Sequence, residues 1–378
     1  MVVSARANGT TRRGVLATGG TAVGSVLLAG CSTPEVDSGG GEEDSYTVSM
    51  EPVGKVQFQD VPEEWVVYES NYAEMGIVLG VGDGLLAAGE LNRIVTKHFD
   101  ELGIEFDLDS LTELWNDGVD RELFYELDPD VHLIDPNWLV HNSAFGLEEA
   151  DVEEIDENVA PFIGNTIFRR TDDWHDYRYY SMYEAFELVA DVFQQRDRFE
   201  EFADLHDEFV SDVESRLPPI EDRPTALLTH DNSDEPEEFT PYRLSDRGTD
   251  NKHWHELGLE DALSGTGIDG LSTTERGTLD YETVLEVDPD VILIRGHHHK
   301  SRDEFRESVL SYMEDHSVGS ELTAVQNGRV FQGGPLYLGP ISHLFELERG
   351  AQQLYTDEFE PDEDLFDRDR VADISTDS

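Results

Sequence analysis

Glu122-Leu-Phe-Tyr-Glu-Leu-Asp-Pro-Asp-Val-His-Leu-Ile-Asp135 returns 160 residues later as Glu282-Thr-Val-Leu-Glu-Val-Asp-Pro-Asp-Val-Ile-Leu-Ile-Arg295, with eight of fourteen positions identical. Each copy reads as a short amphipathic helix, an Asp-Pro-Asp turn and a buried strand. The same offset places Val66-Val-Tyr-Glu69 on Ala226-Leu-Leu-Thr229, two more strand-like runs. Leu79-Gly-Val-Gly-Asp-Gly-Leu85 matches Leu257-Gly-Leu-Glu-Asp-Ala-Leu263 at an offset of 178, so the second copy carries an insertion between Asp231 and Leu257. Several matches in one order imply two homologous lobes. Strands alternating with helical segments imply a parallel α/β sheet in each.

Between the copies, residues 181–217 contain no Gly or Pro, and their apolar positions fall mostly three or four apart. This segment is expected to be one long α-helix, spanning about 50 Å at ~1.5 Å per residue, with a bend allowed between Phe193 and Phe202. The expected division is an N-terminal lobe over 52–180, the connecting helix over 181–217 and a C-terminal lobe over 218–356. An acidic, mostly solvated tail then covers 357–378. The ligand cleft lies between the lobes.

The chain has 378 residues, with 84 Asp and Glu against 26 Lys and Arg, and a formal net charge of -58. Such a surface repels phosphate backbones, which excludes nucleic-acid binding as a main role. Apolar content of 38% is enough for a core. Only four basic residues are lysine, and the acid-rich, lysine-poor balance resembles that of proteins from salt-loving organisms, in which strong screening relieves self-repulsion. There is no D-x-[DN]-x-[DN]-G calcium loop. Walker, G-x-S-x-G and strand-linked dinucleotide motifs are also missing, which argues against an enzyme; an extracellular enzyme on the same scaffold is the weakest reading.

Residues 1–34 hold Arg6, Arg12 and Arg13 and no acid. Thr11-Arg-Arg-Gly-Val-Leu16 looks like a twin-arginine export signal, and the mild apolar run to Leu28 is too short to span a membrane. Leu28-Ala-Gly-Cys31 resembles a lipoprotein processing box, so 1–31 is expected to be a signal with Cys31 as the lipidated residue. Cys31 is the only cysteine, which excludes a disulfide or a zinc ribbon. Removing the three arginines takes the net charge from -58 to -61. Residues 32–51 are expected to be a flexible tether.

Ligands of open parallel sheets sit beyond the carboxyl ends of the strands. This brings Asn71 and Tyr72, Asn137 and Trp138, His230, and Arg295 and His297 to the expected cleft. A second cluster before the connecting segment holds Arg169, Arg170, Trp174, Tyr177 and Arg178. The insertion adds Tyr242 and Arg243, and Arg276 and Tyr337 are further candidates. Arginines with aromatic neighbours suit a planar, anionic, oxygen-rich ligand. His297-His-His299 could ligate a metal, but adjacent strand residues point opposite ways, so no protein-held metal is expected.

Two lobes, a long connecting helix and an exported, lipid-anchored chain resemble the substrate-binding proteins of ABC importers. The likeness is carried by Gly54-Lys-Val-Gln-Phe58, Met75-Gly-Ile-Val-Leu-Gly-Val-Gly-Asp83, both Asp-Pro-Asp-Val runs, Leu322-Thr-Ala-Val-Gln-Asn-Gly-Arg-Val-Phe331 and a closing helix from Gly339 to Tyr355. It covers about residues 52–356 and is similar to the family that binds ferric siderophores, haem or cobalamin, in its salt-adapted archaeal form. The resemblance implies a monomeric receptor for a ferric siderophore-type iron complex, with cobalamin or haem as the alternative cargo. It implies no intrinsic cofactor, iron arriving as part of the ligand. It also implies an ABC permease as partner, docked through acidic side chains, and a place on the outer face of the membrane, held by the lipid anchor.

Overall fold

The computed structural model describes residues 45–268 and 277–376; Cys31 and Arg276 lie outside them. The first element is a hairpin, β1 (Tyr46–Met50) antiparallel to β2 (Gly54–Phe58). Its alternating burial places Val48, Met50, Val56 and Phe58 in the core. Residues 46–51, expected to belong to the tether, are therefore part of the folded hairpin, because these apolar residues are spaced for a sheet face.

The N-terminal lobe is built on β3 (Trp65–Val67), β4 (Leu85–Ala88), β5 (Thr112–Glu113) and β6 (Val131–Leu133), all parallel in the order β5-β4-β3-β6. The C-terminal lobe uses β7 (Thr225–His230), β8 (Thr240–Pro241), β9 (Glu260–Asp261), β10 (Val291–Arg295) and β11 (Val330–Gln332). Its order is β11-β10-β7-β8, with β9 also parallel on β7 and only β8 antiparallel.

The repeated motif does the same work twice. Asp120 and Asp280 cap the helices Arg121–Leu127 and Tyr281–Val287. Asp128 and Asp288 end those helices in the left-handed region, at φ 47° and 46°. The second Asp of each Asp-Pro-Asp turn ties down the first strand of the lobe's parallel sheet. Asp130 accepts from the backbone N–H of Glu63 and Glu64, at 2.8 and 3.0 Å. Asp290 accepts from the N–H and hydroxyl of Thr225, at 2.9 and 2.8 Å.

Residues 181–217 form two helices, Met182–Val192 and Arg196–Arg216. The first starts at a Ser181/Glu184 capping box and stops at Phe193, after which Gln194 takes φ 54°. The long connecting element is thus the second helix alone, about 32 Å long at ~1.5 Å per residue, rather than one helix over the whole segment. The acidic tail is also more than solvated chain. Helix Arg368–Thr376 buries Val371 and Ile374, while Arg368 pairs with Glu348 and Glu101 and Arg370 with Glu208. Its spacing of two apolar residues among acids is too sparse to announce a helix by periodicity.

One continuous apolar cluster joins Trp65, Val131 and Leu133 of the first sheet to Ala226, Leu228 and Val291 of the second, through Phe186, Phe202 and Phe209 of the connecting helices. The opposite faces of the sheets pack into separate clusters around Val66 and Ile134 and around Leu227 and Ile292. The lobes also meet along a backbone seam. Thr249 and Asp250 donate to the carbonyls of Ile167 and Phe168, at 3.0 and 3.2 Å, and the N–H of Arg170 donates to the Asp246 carboxylate at 3.0 Å. Gly248 makes the approach possible, since a Cβ there would lie 2.0 Å from the Phe168 carbonyl oxygen.

Candidate solute-binding cleft

A cavity of about 700 Å³ opens between the lobes, within the size range of small-molecule sites. The N-terminal lobe supplies an aromatic wall. Trp138 meets Phe145 and Phe168 edge-on, at 5.4 and 5.7 Å between ring centroids, and Trp174 lies parallel to His141 at 5.3 Å. Tyr68 and Trp115 extend the wall. The C-terminal lobe contributes Tyr242, Leu336 and Tyr337, with Tyr337 set edge-on to Phe168 at 4.9 Å.

Two arginines stand among these rings. Arg169 lies over Trp138 at 4.7 Å and over Phe168 at 4.9 Å, and Asp172 holds it in a two-point pair. Arg93 lies over Tyr337 at 5.4 Å and pairs with Glu90 at 2.8 Å. The indole N–H of Trp138 is buried without an acceptor. A buried donor left unpaired is costly, so a ligand oxygen placed there recovers a hydrogen bond.

Beneath the wall, Asp135 organises the strand end. Its carboxylate accepts from the Asn137 and Thr166 N–H groups, at 3.0 and 2.8 Å, and from the Tyr177 hydroxyl at 2.6 Å. Burial pushes Asp135 up to about 6, and burial with the nearby Asp135 charge raises Glu69 well above the carboxylate range. The Tyr72 hydroxyl donates to the Asn165 carbonyl at 2.8 Å, and Asn71 accepts from the Tyr72 N–H at 2.8 Å.

Of the sequence-derived candidates, Trp138, Arg169, Trp174, Tyr242 and Tyr337 line the cavity. Asn71, Tyr72, Asn137 and Tyr177 brace the floor behind it without lining it. Arg295 is buried and fully engaged: Asp250 pairs with it at 2.7 Å, the Asp250 carbonyl and Asn251 accept from it, and Tyr242 stacks on it at 5.1 Å. It backs Tyr242 and anchors the seam. Arg178 is exposed and pairs with Glu184 at 2.6 Å. Arg170 lies over Tyr179 and lines a different pocket with Lys252 and Glu256. Arg243 lines another with Asp261. His230 ends β7 with its ring 6.3 Å from Tyr242. His297 is buried beside Phe305, whereas His298 and His299 both reach the Asn92 carbonyl of the other lobe, at 3.0 and 2.7 Å.

The sequence reading missed Arg93, Glu90, Tyr68, Trp115 and His141. Glu90 and Arg93 follow directly on β4, so recognising Leu85–Ala88 as a strand would have found them by the same strand-end rule.

Among the described residues, one group has metal-ligating geometry: His206, Glu256 and His343, their ligand atoms within 4.8 Å of one another. The Lys252 ammonium already sits there, bonded to Glu256 and 3.2 Å from His206 Nε2. The cluster joins the connecting helix to two helices of the C-terminal half, and none of its residues lines the cleft.

Two parallel α/β lobes closing on an aromatic, arginine-bearing cavity define a bilobal solute-binding protein. The chain belongs to the periplasmic binding protein family, whose model matches residues 66–336. This is a family of solute-binding transport proteins, not of enzymes. Solved structures with the same fold include the petrobactin-binding protein YclQ of Bacillus subtilis, at 16% identity and TM-score 0.56, covering 82% of this chain and 99% of that one. The iron-uptake ABC transporter substrate-binding protein PiuA of Streptococcus pneumoniae is similar at 17% identity and TM-score 0.55, over 82% and 98%. The heme-binding protein HmuT is similar at 15% and 0.55, over 82% and 89%. At these identities the likeness is one of fold. No curated protein matches the sequence. Among the described residues, no helix is long and apolar enough to cross a membrane.

Proposed function

We propose that this protein is an exported, lipid-anchored receptor that takes up a ferric siderophore-type iron complex in the cleft and delivers it to an ABC permease. The observation that carries the reading is the pairing of Arg169 with the unpartnered Trp138 indole N–H on an aromatic wall. Such a surface suits a flat, anionic ligand rich in oxygen acceptors: rings stack on rings, and the guanidinium and indole donate to phenolate or carboxylate oxygens. Relatives in fold carry names tied to petrobactin, iron uptake and heme, which supports an iron-related cargo. The anchor rests on the Leu28-Ala-Gly-Cys31 box, and the export route on the twin-arginine segment. The acidic, lysine-poor surface supports a working environment of molar salt.

His141 favours haem as the alternative. It lines the cavity exposed, stacked on Trp174, where an imidazole could ligate iron. Titration of the full chain in molar KCl with a ferric catecholate, a ferric hydroxamate, haemin and cobalamin tests both readings by tryptophan emission. Saturable quenching by a ferric chelate supports the first. A haemin complex whose Soret band changes in His141→Ala supports the second. No response to any of the four overturns both.

A further inference from the structure

A second cavity, of about 400 Å³, lies along β11, the edge strand of the C-terminal sheet, and shares no lining residue with the cleft. Arg302 and Arg306 line it from one helix, four residues apart and so on one face. Arg329 lines it from the turn before β11, and Gln352 and Gln353 from the end of helix Pro340–Leu354.

The lining contains no Asp or Glu, although these make up 84 of the chain's 378 residues. Ten other arginines are ion-paired with carboxylates. Among the described residues Arg302, Arg306 and Arg329 are not; Arg170, Arg198, Arg223 and Arg247 are not either, but only the first three gather three to one cavity. The Arg329 Nε is buried with no acceptor. The Arg302 side chain is exposed, but partial desolvation against the cavity wall and then the nearby Arg349 guanidinium hold it below the usual arginine range, with Arg306 adding to the effect against Asp303 and Asp362. A protein this acidic has no shortage of carboxylates to neutralise three gathered guanidinium groups, yet none lines this cavity, and Asp303 and Asp362 act on Arg302 only from beside it.

We propose that this cavity binds a compact, multiply charged oxyanion of the phosphate class. Guanidinium forks match phosphate oxygens two at a time, and the glutamine amides can add neutral donors. Directional bonds of this kind persist in molar salt, where long-range attraction is screened within about 3 Å. The oxygens can belong to a free phosphate or to a lipid headgroup, and the two sources are separable.

The test is calorimetric titration of the full chain in molar KCl with inorganic phosphate and pyrophosphate, and sedimentation with phosphatidylglycerol vesicles. Wild type is expected to bind one equivalent of pyrophosphate, with at least tenfold weaker binding in Arg302→Gln/Arg306→Gln and in Arg329→Gln. Cleft variant Arg169→Ala should bind it as wild type does. Vesicle binding lost in the same variants, without pyrophosphate binding, keeps the anion class and assigns it to a headgroup. The proposal is overturned if neither probe binds, if binding survives both variants, or if Arg169→Ala abolishes it. Arg302 and Arg306 are exposed, so their double variant should keep its fold, and an unchanged circular dichroism spectrum and melting temperature verify this.

Discussion

Asp172 grips the guanidinium of Arg169 at two points, Nε to Oδ2 at 2.5 Å and Nη2 to Oδ1 at 2.8 Å, while the same guanidinium lies over Trp138. The carboxylate therefore takes one two-donor edge of a guanidinium that carries five N–H donors, and it competes with an anionic ligand for that edge. A ligand that takes this edge exchanges Asp172 for its own oxygens, so the two residues should have opposite effects. Arg169→Ala should weaken a ferric catecholate by tenfold or more, since bonds to charged groups contribute about 1.5–3 kcal/mol each. Asp172→Asn should strengthen it by removing the competitor. Equilibrium titration of both variants decides the matter, and weaker binding in both would mean that the pair acts as a unit.

The tryptophans make a second test. Trp115, Trp138 and Trp174 line the cleft, whereas Trp65 and Trp254 are buried in the shared core. Ligand quenching should persist in Trp254→Phe and shrink in Trp138→Phe and Trp174→Phe. A response lost in Trp254→Phe would place the ligand elsewhere.

A third test concerns the repeat. Asp130 and Asp290 make equivalent ties from the Asp-Pro-Asp turn to the first strand of the lobe's parallel sheet. Both are solvent-exposed, so Asp130→Ala and Asp290→Ala should each cost about 1–2 kcal/mol. Urea denaturation in constant molar salt measures it. A cost confined to one lobe would show that the two turns are alike in sequence only.

These ties explain what was legible in the sequence. Capping aspartates, turns and buried strands act through neighbours in the chain, so the two-lobed parallel fold could be read from one fourteen-residue repeat. The site was only half legible. Trp138 was legible from the strand-end rule, and Arg169 and Trp174 from a local cluster of arginine and aromatic residues before the connecting helices; all three line the cavity. Arg295 and Arg178 were misplaced because their fate depends on partners: Asp250 captures one in the interior and Glu184 holds the other at the surface. The helix break at Gln194 and the docking of the last helix likewise depend on packing against distant elements, which local spacing does not reveal.

The seam gives a fourth prediction. Gly248→Ala would drive a Cβ to 2.0 Å from the Phe168 carbonyl oxygen, a backbone atom with no rotamer to escape into. The strand of contacts from Arg170 to Asp246 should open, costing about 1–3 kcal/mol by overpacking. Thermal denaturation should show the loss, and amide exchange at Thr249 and Asp250 should quicken. Unchanged protection there would mean that the lobes do not depend on this seam.

Stability should fall as pH drops from 7.5 to 5 at constant molar salt. Burial lowers His132 to about 4 and His206 to about 2, and holds His98 and His253 well below the usual range. Such groups take up a proton only on unfolding, so their contribution is present above about 6.5, the ordinary histidine value, and is lost as pH falls below it. Buried carboxylates oppose this. Burial raises Glu74 to about 7 and Asp135 and Asp250 to about 6, so the folded state holds their protons and they favour folding at lower pH. Nine histidines are lowered against five carboxylates raised, so the histidine sign prevails between about 4.5 and 6.5. Melting temperatures at pH 7.5, 6 and 5 check the direction, and a rise on acidification would show that the carboxylates dominate. Glu74→Gln should steepen the fall, because Glu74 accepts from the Ser342 N–H and hydroxyl at the start of helix Pro340–Leu354 and is one of the groups whose contribution runs the other way.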